Sequence, residues 1–330
     1  MSDSFYPAMT PFTQVEVNGA VTDSGPWCWG PQRFAAGFFT ADEPAVRALL
    51  PSDELHPVVL RGTRALVMAY GFDCSGLWGT WCPPFRYSEV AVWAFVTHGA
   101  DAVPPGLGAL VPTISRRAGQ KWGFGIYALQ MAVTNRLARD LGNTLLPHKF
   151  LADVRNEQRR TTERFLATED GAPVVDLAVR SDGRPRQMGQ RMLVYTDIQG
   201  VLCSLVNHAD AVFRVRAGKA AATLRLGAHP AVEHLRSLGL SPTGSVALFS
   251  TDYKTFTCDF DTLEPASRHV LDYAGSDEPR ASLVISPAPG VEYEAEQFPC
   301  QMPFGYTPDV ALGPDFRARL DAARAAAASA

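Results

Sequence analysis

The residue of this chain with the clearest potential for chemistry is Lys149, which stands in the apolar run 145–152 (LLPHKFLA). The sequence contains only four lysines against 26 arginines. An ammonium in such a segment either reaches water along the apolar surface or is desolvated, and desolvation favours the neutral, nucleophilic amine. A desolvated lysine amine forms Schiff bases with carbonyl compounds. The sequence therefore indicates imine chemistry at Lys149, with a surface lysine as the alternative.

Two other charged residues are candidates for the same site. Glu89 opens the mainly apolar run 88–96, where its carboxylate is either exposed to solvent or turned into a cavity. In a cavity it would orient the amine or shuttle a proton. Arg33 follows the segment 29–32 (WGPQ) and is either a surface residue or, if buried, a clamp for a carboxylate.

The tryptophans indicate where an apolar pocket would lie. All six stand in the first 122 residues, on the lysine's side of the sequence: Trp27, Trp29, Trp78, Trp81, Trp93 and Trp122. Large aromatic side chains dominate ordinary cores, so core packing is the alternative to a role in lining a pocket.

The composition is typical of a soluble globular protein. The 330 residues are 46% hydrophobic and 19% charged, which allows a large core in one domain or two. With a net charge of -4 and no concentrated basic surface, we do not expect nucleic acid as a partner. We find no secretory signal and no apolar stretch of the roughly 18 residues that a membrane-spanning helix needs. We therefore expect a cytoplasmic protein without a membrane partner.

Cysteine and histidine are dispersed along the chain. The six cysteines form no CxxC pair and are expected to be reduced, buried side chains. The nearest two histidines, His229 and His234, stand five residues apart, a spacing that does not place both rings on one face of a helix. We therefore expect no structural zinc and no bound metal.

Strands dominate the predicted secondary structure. Apolar runs that read as buried on both faces indicate strands in the first half, and further β-like runs follow in the second half between turn signals. The predicted strands are residues 65–70, 88–96, 125–133, 192–195, 201–206, 211–215, 221–226 and 246–260. The predicted turns are residues 181–183, 199–200, 217–218 and 241–244.

Four short helices are predicted between and after these strands. Residues 40–51 begin with a capping Thr or Asp and end at a proline, and residues 134–135 cap a second helix that Gly142 ends. Residues 231–238 and the Ala- and Arg-rich segment 314–330 are the other two. The candidate lysine follows the stop at Gly142, at the entry to the next strand.

Two long segments lack periodicity. Residues 1–26 are rich in Pro, Thr, Ser and Gly, and we expect an extended N-terminal arm that wraps a neighbouring subunit. Residues 99–121 carry many glycines and prolines, and a loop of this length is typical of a lid or of a contact between subunits. We therefore expect a homo-oligomer.

The order of these segments resembles that of the acetoacetate decarboxylase superfamily. Its members carry a Tyr-Asn-Glu strand and a Pro-Lys-Lys-Leu or Pro-Lys-Phe-Leu-Ala-Asp segment. The matching segments here are Arg33, residues 49–51 (LLP), 87–89 (YSE), 129–142 and 148–153 (HKFLAD), followed by 191–194, 207–210 and 246–249. The resemblance spans about residues 27 to 260 and rests on the collinear order of the segments.

The resemblance implies a mainly β (α+β) fold in which antiparallel sheets curl into a closed, cone-like β-barrel with a few peripheral helices. It implies that the barrel domain occupies residues 27–260, after the arm of residues 1–26. Residues 261–330 would then be a C-terminal extension that packs on the barrel, with its last residues helical or frayed.

The resemblance also implies roles for single residues. The lysine of the family forms an imine with a β-keto acid, and the matching position is Lys149. Glu89 matches a pocket glutamate that positions groups near the lysine, and both are expected to be catalytic. Arg33 matches an arginine near the substrate carboxylate. The other residues expected to bind substrate are Trp93, Phe150 and His148.

The expected function is that of a carbon-carbon lyase that decarboxylates a β-keto acid or a related carbonyl compound through an imine at Lys149. The protonated imine is the electron sink, so no cofactor is expected. The superfamily also runs aldol and dehydration reactions through this imine, so an aldolase-dehydratase is an alternative, and a non-catalytic small-molecule binding protein is another. Phe150 stands where the founding decarboxylases have a second lysine, so a dry pocket must activate Lys149.

Overall fold

The computed structural model of the protein describes residues 14–17, 20–23, 28–29, 32–61, 64–79, 82–99, 123–135, 138–139, 143, 148–266, 283–289, 306–312 and 314–328. The predicted lid beyond Gly99, most of the predicted helix after Asn135 and most of the predicted N-terminal arm lie outside the described residues.

The described chain is built mainly from strands, with few helices, as the sequence predicts. The strands are β1 (Gln14–Val17), β2 (Ala20–Asp23), β3 (Cys28–Trp29), β4 (Gln32–Asp42), β5 (Leu55–Pro57), β6 (Val59–Arg61), β7 (Arg64–Gly79), β8 (Cys82–His98), β9 (Gly125–Val133), β10 (Lys149–Leu151), β11 (Asp153–Arg159), β12 (Thr162–Glu169), β13 (Ala172–Arg180), β14 (Arg184–Ile198), β15 (Val201–Leu226), β16 (Thr243–Pro265), β17 (Leu283–Pro289) and β18 (Tyr306–Leu312). The helices are α1 (Glu43–Arg47), a single 3-10 turn (Pro230–Val232), α2 (Glu233–Arg236) and α3 (Pro314–Ala328).

One large sheet carries most of these strands. Its order is β10-β9-β8-β7-β4-β16-β15-β13-β12-β11, and β14 pairs with both β15 and β9. Strand β9 pairs in parallel with β10 and with β14. All other strands that are adjacent in this sheet order pair antiparallel, for example β7 with β8 and β8 with β9. The mainly β architecture with few helices is therefore confirmed, but the large sheet is mixed, whereas antiparallel sheets were expected. Closure of the sheet into a cone-like barrel stays a prediction.

The large sheet buries a separate core on each of its two faces, because successive side chains of a strand point to opposite sides. We call the first the Lys149 face. Its buried side chains include Phe34, Phe72, Trp93, Met131 and Phe213. The second, the Phe150 face, is lined by a different set of buried side chains, among them Phe39, Val92, Tyr127, Phe165 and Leu177.

The predicted strands of the first half are confirmed, and they are covered on both faces. All nine residues of β9 are buried. On the Phe150 face, β12 packs across β7. A Cβ atom added at Gly71 of β7 would lie 2.3 Å from the ring of Phe165 of β12, so this close approach requires glycine.

The second half differs from the prediction at one point. The three predicted strands between residues 201 and 226 are one strand, β15, of 26 residues. The predicted turn at Ala217 and Gly218 lies inside it. There Gly218 and Ala220 have positive φ angles of 133° and 54°, and the pairing with β16 shifts register between Ala217 and Ala222. A bulge of this kind bends a strand without ending it, and its glycine resembles the glycine of a turn in sequence.

Helices α1 and α2 are shorter than predicted but lie where the sequence indicates. Helix α1 covers only the middle of residues 40–51, and Asp42 occupies its N-cap position. The carboxylate of Asp42 accepts a hydrogen bond from Arg64 instead of capping the helix. After β9, the Asn135 side chain accepts a hydrogen bond from the Ala138 N–H at 3.2 Å, as expected of a capping residue.

The chain ends meet in a second, smaller sheet with the order β18-β17-β1-β2. In it, β1 pairs with β2 and with β17, so residues of the predicted arm contact the predicted C-terminal extension. Strand β16 continues across the predicted domain boundary at residue 260, to Pro265. The predicted C-terminal helix is confirmed as α3. Each helix within the described residues is too short or too polar to cross a membrane.

Candidate active site

Lys149 begins β10, a strand of three residues that pairs in parallel with the end of β9. It lies opposite Met131, whose side chain belongs to the core of the Lys149 face. Asn143 holds the lysine backbone at two points. Its Oδ1 accepts a hydrogen bond from the Lys149 N–H at 2.7 Å, and its Nδ2 donates to the Lys149 carbonyl at 3.0 Å. These bonds orient the lysine although its strand is short.

Glu89 lies in β8, opposite Phe72 of β7 and Val133 of β9. Both neighbours belong to the core of the Lys149 face, so the carboxylate points to that face, where Glu89 is only 2% exposed. Next to it, the Ser88 N–H donates to Oγ1 of Thr134 at 2.9 Å, and the Thr134 N–H donates to the Ser88 carbonyl at 3.1 Å. The two bonds fix β8 against the end of β9.

The structure brings the two predicted catalytic residues together. Nζ of Lys149 donates a hydrogen bond to Oε2 of Glu89 at 3.0 Å, and the two side chains are 9% and 3% exposed. The other carboxylate oxygen, Oε1, accepts a hydrogen bond from the hydroxyl of Tyr70 at 2.6 Å. Lys149, Glu89 and Tyr70 therefore form a hydrogen-bonded chain in which each carboxylate oxygen has a donor.

Aromatic rings surround this chain on the Lys149 face. The Tyr70 ring lies 5.5 Å from that of Phe34, 5.8 Å from that of Phe72 and 6.2 Å from that of Trp93, measured between centroids. Such surroundings exclude water and keep the local dielectric low, which strengthens the interaction between ammonium and carboxylate. The same surroundings penalise both charges, so transfer of a proton from Lys149 to Glu89 removes two desolvated charges at once.

Trp93 is the one predicted substrate-binding residue that shares the face of the amine. It lies four residues after Glu89 on β8 and belongs to the core of the Lys149 face. Its ring contacts that of Tyr70, which in turn donates to Glu89. The structure thus connects Trp93 to the catalytic pair through one side chain.

Phe150 and His148 lie on the other side of the strand. Phe150 pairs with Ala132 and packs against the core of the Phe150 face. His148 lies within hydrogen-bonding distance of Tyr127, 3.2 Å from Nε2 to the hydroxyl oxygen, and Tyr127 belongs to that same core. Both residues are next to Lys149 in sequence, but alternation along β10 turns them away from the amine. Their role in binding substrate stays a prediction.

His148 has a backbone conformation that few residues adopt. Its φ angle is 83°, in the left-handed region, and its carbonyl accepts a hydrogen bond from the Met131 N–H at 3.0 Å. Partial burial lowers the pKa of His148, and nearby His234 lowers it further, while Asp197 opposes the shift. Burial raises the pKa of its partner Tyr127 to about 12. A neutral imidazole therefore faces a neutral hydroxyl beneath the lysine.

Arg33 lies on the Phe150 face, away from Lys149. Its neighbour Phe34 belongs to the core of the Lys149 face, so Arg33 points to the opposite side of β4. There NH1 of Arg33 donates to Oε1 of Glu163 at 2.8 Å, and the guanidinium lies 5.9 Å from the ring centroid of Phe249. The Glu163 side chain is fully buried, whereas that of Arg33 is 31% exposed. The structure does not bring this predicted carboxylate clamp to the amine.

Sequence reasoning missed two residues of the site, Tyr70 and Asn143. A tyrosine closing the apolar run 65–70 was a usable signal, because a buried tyrosine hydroxyl usually has a hydrogen-bond partner. Asn143 directly follows Gly142, the predicted helix stop, and asparagine side chains often bond to nearby backbone. The described residues contain no group of three or more His, Cys, Asp or Glu side chains arranged to hold a metal ion.

Comparison with known proteins gives similarities to solved structures only. No protein-family model and no curated protein sequence matches the chain. An acetoacetate decarboxylase from Legionella pneumophila is 12% identical, with a TM-score of 0.46 over 70% of this chain and 84% of that one. An acetoacetate decarboxylase-like enzyme from Sphingomonas wittichii RW1 is 15% identical, with a TM-score of 0.45 over 75% and 94%. The enduracididine biosynthesis enzyme MppR, in complex with pyruvate, is 11% identical, with a TM-score of 0.47 over 72% and 90%. Two of these three carry the name of the family that the sequence resembles.

Proposed function

We propose that this protein is a Schiff-base-forming lyase that decarboxylates a β-keto acid, or a related carbonyl compound, through an imine at Lys149. One observation carries the proposal: the amine of Lys149 is buried on an aromatic face with its hydrogen bond directed to a buried carboxylate, Glu89. A lysine whose only role is solubility is expected at the surface, because burying an ammonium costs free energy.

Glu89 activates the amine in this proposal. The carboxylate takes the ammonium proton across the 3.0 Å hydrogen bond, which leaves a neutral amine and a neutral carboxylic acid. The aromatic surroundings remove the hydration of both charged groups, a cost that this proton transfer relieves. The hydroxyl of Tyr70, 2.6 Å from the other carboxylate oxygen, holds the acid in place while the proton moves.

The reaction then proceeds in balanced steps on the lysine nitrogen. The amine attacks the substrate carbonyl, and the carbinolamine loses its hydroxyl as water with the proton returned by Glu89, which gives a protonated imine. The electron pair of the bond to the carboxylate carbon moves into the imine, so carbon dioxide leaves and an enamine remains. Protonation of the enamine carbon and hydrolysis release the ketone and the free amine.

The aromatic surroundings also favour the step that breaks the carbon-carbon bond. A substrate carboxylate carries a localised charge, whereas in the transition state that charge spreads into the imine and the departing carbon dioxide. A water-poor environment lined by Phe34, Tyr70 and Phe72 stabilises the dispersed charge relative to the localised one.

Borohydride trapping tests the proposal. The folded protein is incubated with a panel of β-keto acids and simple ketones, reduced, digested and analysed by mass spectrometry. We expect a reduced adduct on Lys149 and its loss in the Lys149→Met variant. The matched control is Lys219→Met, which changes an exposed lysine of β15 and should leave the adduct intact. No adduct on Lys149 with any compound, in folded protein, would overturn the imine.

Release of carbon dioxide is measured in the same incubations. Carbon dioxide release that requires Lys149 is the result expected of a decarboxylase. An adduct on Lys149 without carbon dioxide from any keto acid would contradict decarboxylation and leave an aldol or dehydration reaction, or ligand binding, as the use of the imine.

A further inference from the structure

Among the described residues, the indole of Trp93 is a buried donor without an acceptor. Trp93 is 4% exposed, and within the part of the chain that the structure describes its Nε1 has no hydrogen-bond partner. A buried tryptophan usually finds a partner for its N–H, because an unpaired buried donor loses its hydration without compensation. An orphaned donor of this kind therefore needs a specific explanation.

The position of Trp93 links this donor to the catalytic pair. Glu89 and Trp93 stand four residues apart on β8, about 13 Å at about 3.3 Å per residue, and both belong to the Lys149 face. The Tyr70 ring lies between them, 6.2 Å from the Trp93 ring, with its hydroxyl on Glu89. The pairing of β8 with β9 shifts register beside Trp93, where Val92 pairs with Gln130 and Trp93 with Ala128, so the extra residue of this bulge lies on β9.

We infer that Trp93 determines substrate specificity: its indole N–H receives a neutral acceptor atom at the far end of an elongated substrate whose carbonyl carbon binds Lys149. The inference rests on the proposed function and deepens it. Trp93 lies four residues along β8 from Glu89, which contacts the amine, so the acceptor belongs to a substituent beyond the reacting carbons. The indole contributes one uncharged donor, and a carboxylate at that point would be desolvated with only a single neutral hydrogen bond.

The surroundings indicate the chemical class of the substituent. The Tyr70 ring stacks on the rings of Phe34 and Phe72, with interplanar angles of 26° and 15°, and it also neighbours the Trp93 ring. A flat apolar group packs well against such rings. The substrate class is therefore an aryl-substituted ketone or β-keto acid with a hydrogen-bond acceptor on the ring.

A matched pair of ketones tests the inference. Benzylacetone and its pyridyl isostere have the same shape, and the isostere replaces one ring C–H with an acceptor nitrogen, which is unprotonated above neutral pH. Borohydride trapping on Lys149 is measured against ketone concentration for the parent protein and for Trp93→Phe, which keeps an aromatic ring and removes the N–H. We expect the parent to prefer the pyridyl ketone by about tenfold and the variant to lose that preference.

Binding of both ketones is read in parallel as the shift in Tm, which needs no imine. Trapping of both ketones by the parent protein without a preference overturns the role of Trp93, whether or not the variant folds. A pyridyl preference that persists in Trp93→Phe overturns it as well. A larger Tm shift with the pyridyl ketone than with benzylacetone, seen in the parent and lost in Trp93→Phe, supports the role of Trp93. If it occurs without any adduct on Lys149, it also overturns the proposed function. If the parent protein shows no adducts and no Tm shifts with either ketone, both the role of Trp93 and the proposed function are overturned.

Discussion

Nζ of Lys149 lies 3.0 Å from Oε2 of Glu89, and both side chains are more than nine-tenths buried although 60 residues separate them in sequence. This contact converts an isolated lysine in an apolar segment into an amine with its own proton acceptor. It also makes the two residues interdependent, because removal of either partner leaves the other buried without its counter-charge.

Glu89→Gln tests the carboxylate as the proton acceptor. The amide has the same shape and can still accept a hydrogen bond from the amine, but it cannot take the proton. We expect the rate of adduct formation at Lys149 to fall by about 100-fold or more. Rapid-quench borohydride trapping measures this rate. Glu233→Gln, an exposed position on α2, is the control and should leave the rate unchanged. An unaltered rate in Glu89→Gln would rule out Glu89 as the acceptor.

Tyr70→Phe tests the third member of the hydrogen-bonded chain. The variant keeps the aromatic ring and removes the donor to Oε1 of Glu89, so we expect a loss of stability of about 1–3 kcal/mol and slower trapping. Urea unfolding and the pH profile of trapping are the measurements. Tyr195→Phe removes a buried hydroxyl that donates to the Gly123 carbonyl, also at 2.6 Å, on the Phe150 face. It should lower stability without moving the pH profile, and equal pH profiles for the two variants would contradict a role for Tyr70 at the site.

Arg33→Met tests whether this arginine supports the fold or binds substrate. The variant leaves the Glu163 carboxylate fully buried without its cation, and we expect a loss of about 3 kcal/mol in the free energy of unfolding. Addition of Glu163→Leu in the same chain should recover most of that loss, because the unpaired charge is gone. Trapping per folded molecule should not change. A raised KM for keto acids at unchanged stability would instead support Arg33 as the carboxylate clamp.

His148→Asn tests the histidine that precedes the reactive lysine. Because the folded protein lowers the pKa of His148, the unfolded chain takes up a proton first as pH falls through the ordinary value of about 6.5, and stability is lost in that range. Asparagine tolerates the positive φ angle and does not titrate there. Between about pH 7.5 and 5.5, we expect the Tm of the parent to fall by about 2 °C more than that of the variant. The groups near the imidazole are Tyr127, His234 and Asp197. If Tm falls equally with pH in the parent and the variant, the folded protein does not lower the pKa of His148 and the prediction is wrong.

The strands of the candidate site could be predicted because a strand that is buried on both faces is a run of consecutive apolar residues in the sequence. Residues 125–133 are apolar throughout, and β9 covers them with the same bounds. The apolar run around Lys149 likewise singled out the amine without any knowledge of the fold. The predicted turn at Gly218 failed because a positive φ angle serves a bulge inside a strand as well as a turn, and local sequence does not distinguish them.

The sequence by itself determined the β-rich class, the candidate amine and the candidate carboxylate. Only the tertiary structure decided which side chains share the face of that amine. Tyr70 joins Glu89 through the pairing of β7 with β8, whereas Phe150 and Arg33, both expected at the substrate, point to the opposite face. The physical reason is that a strand sends neighbouring residues to opposite sides, and strand register, which depends on distant partners, decides which side faces the site.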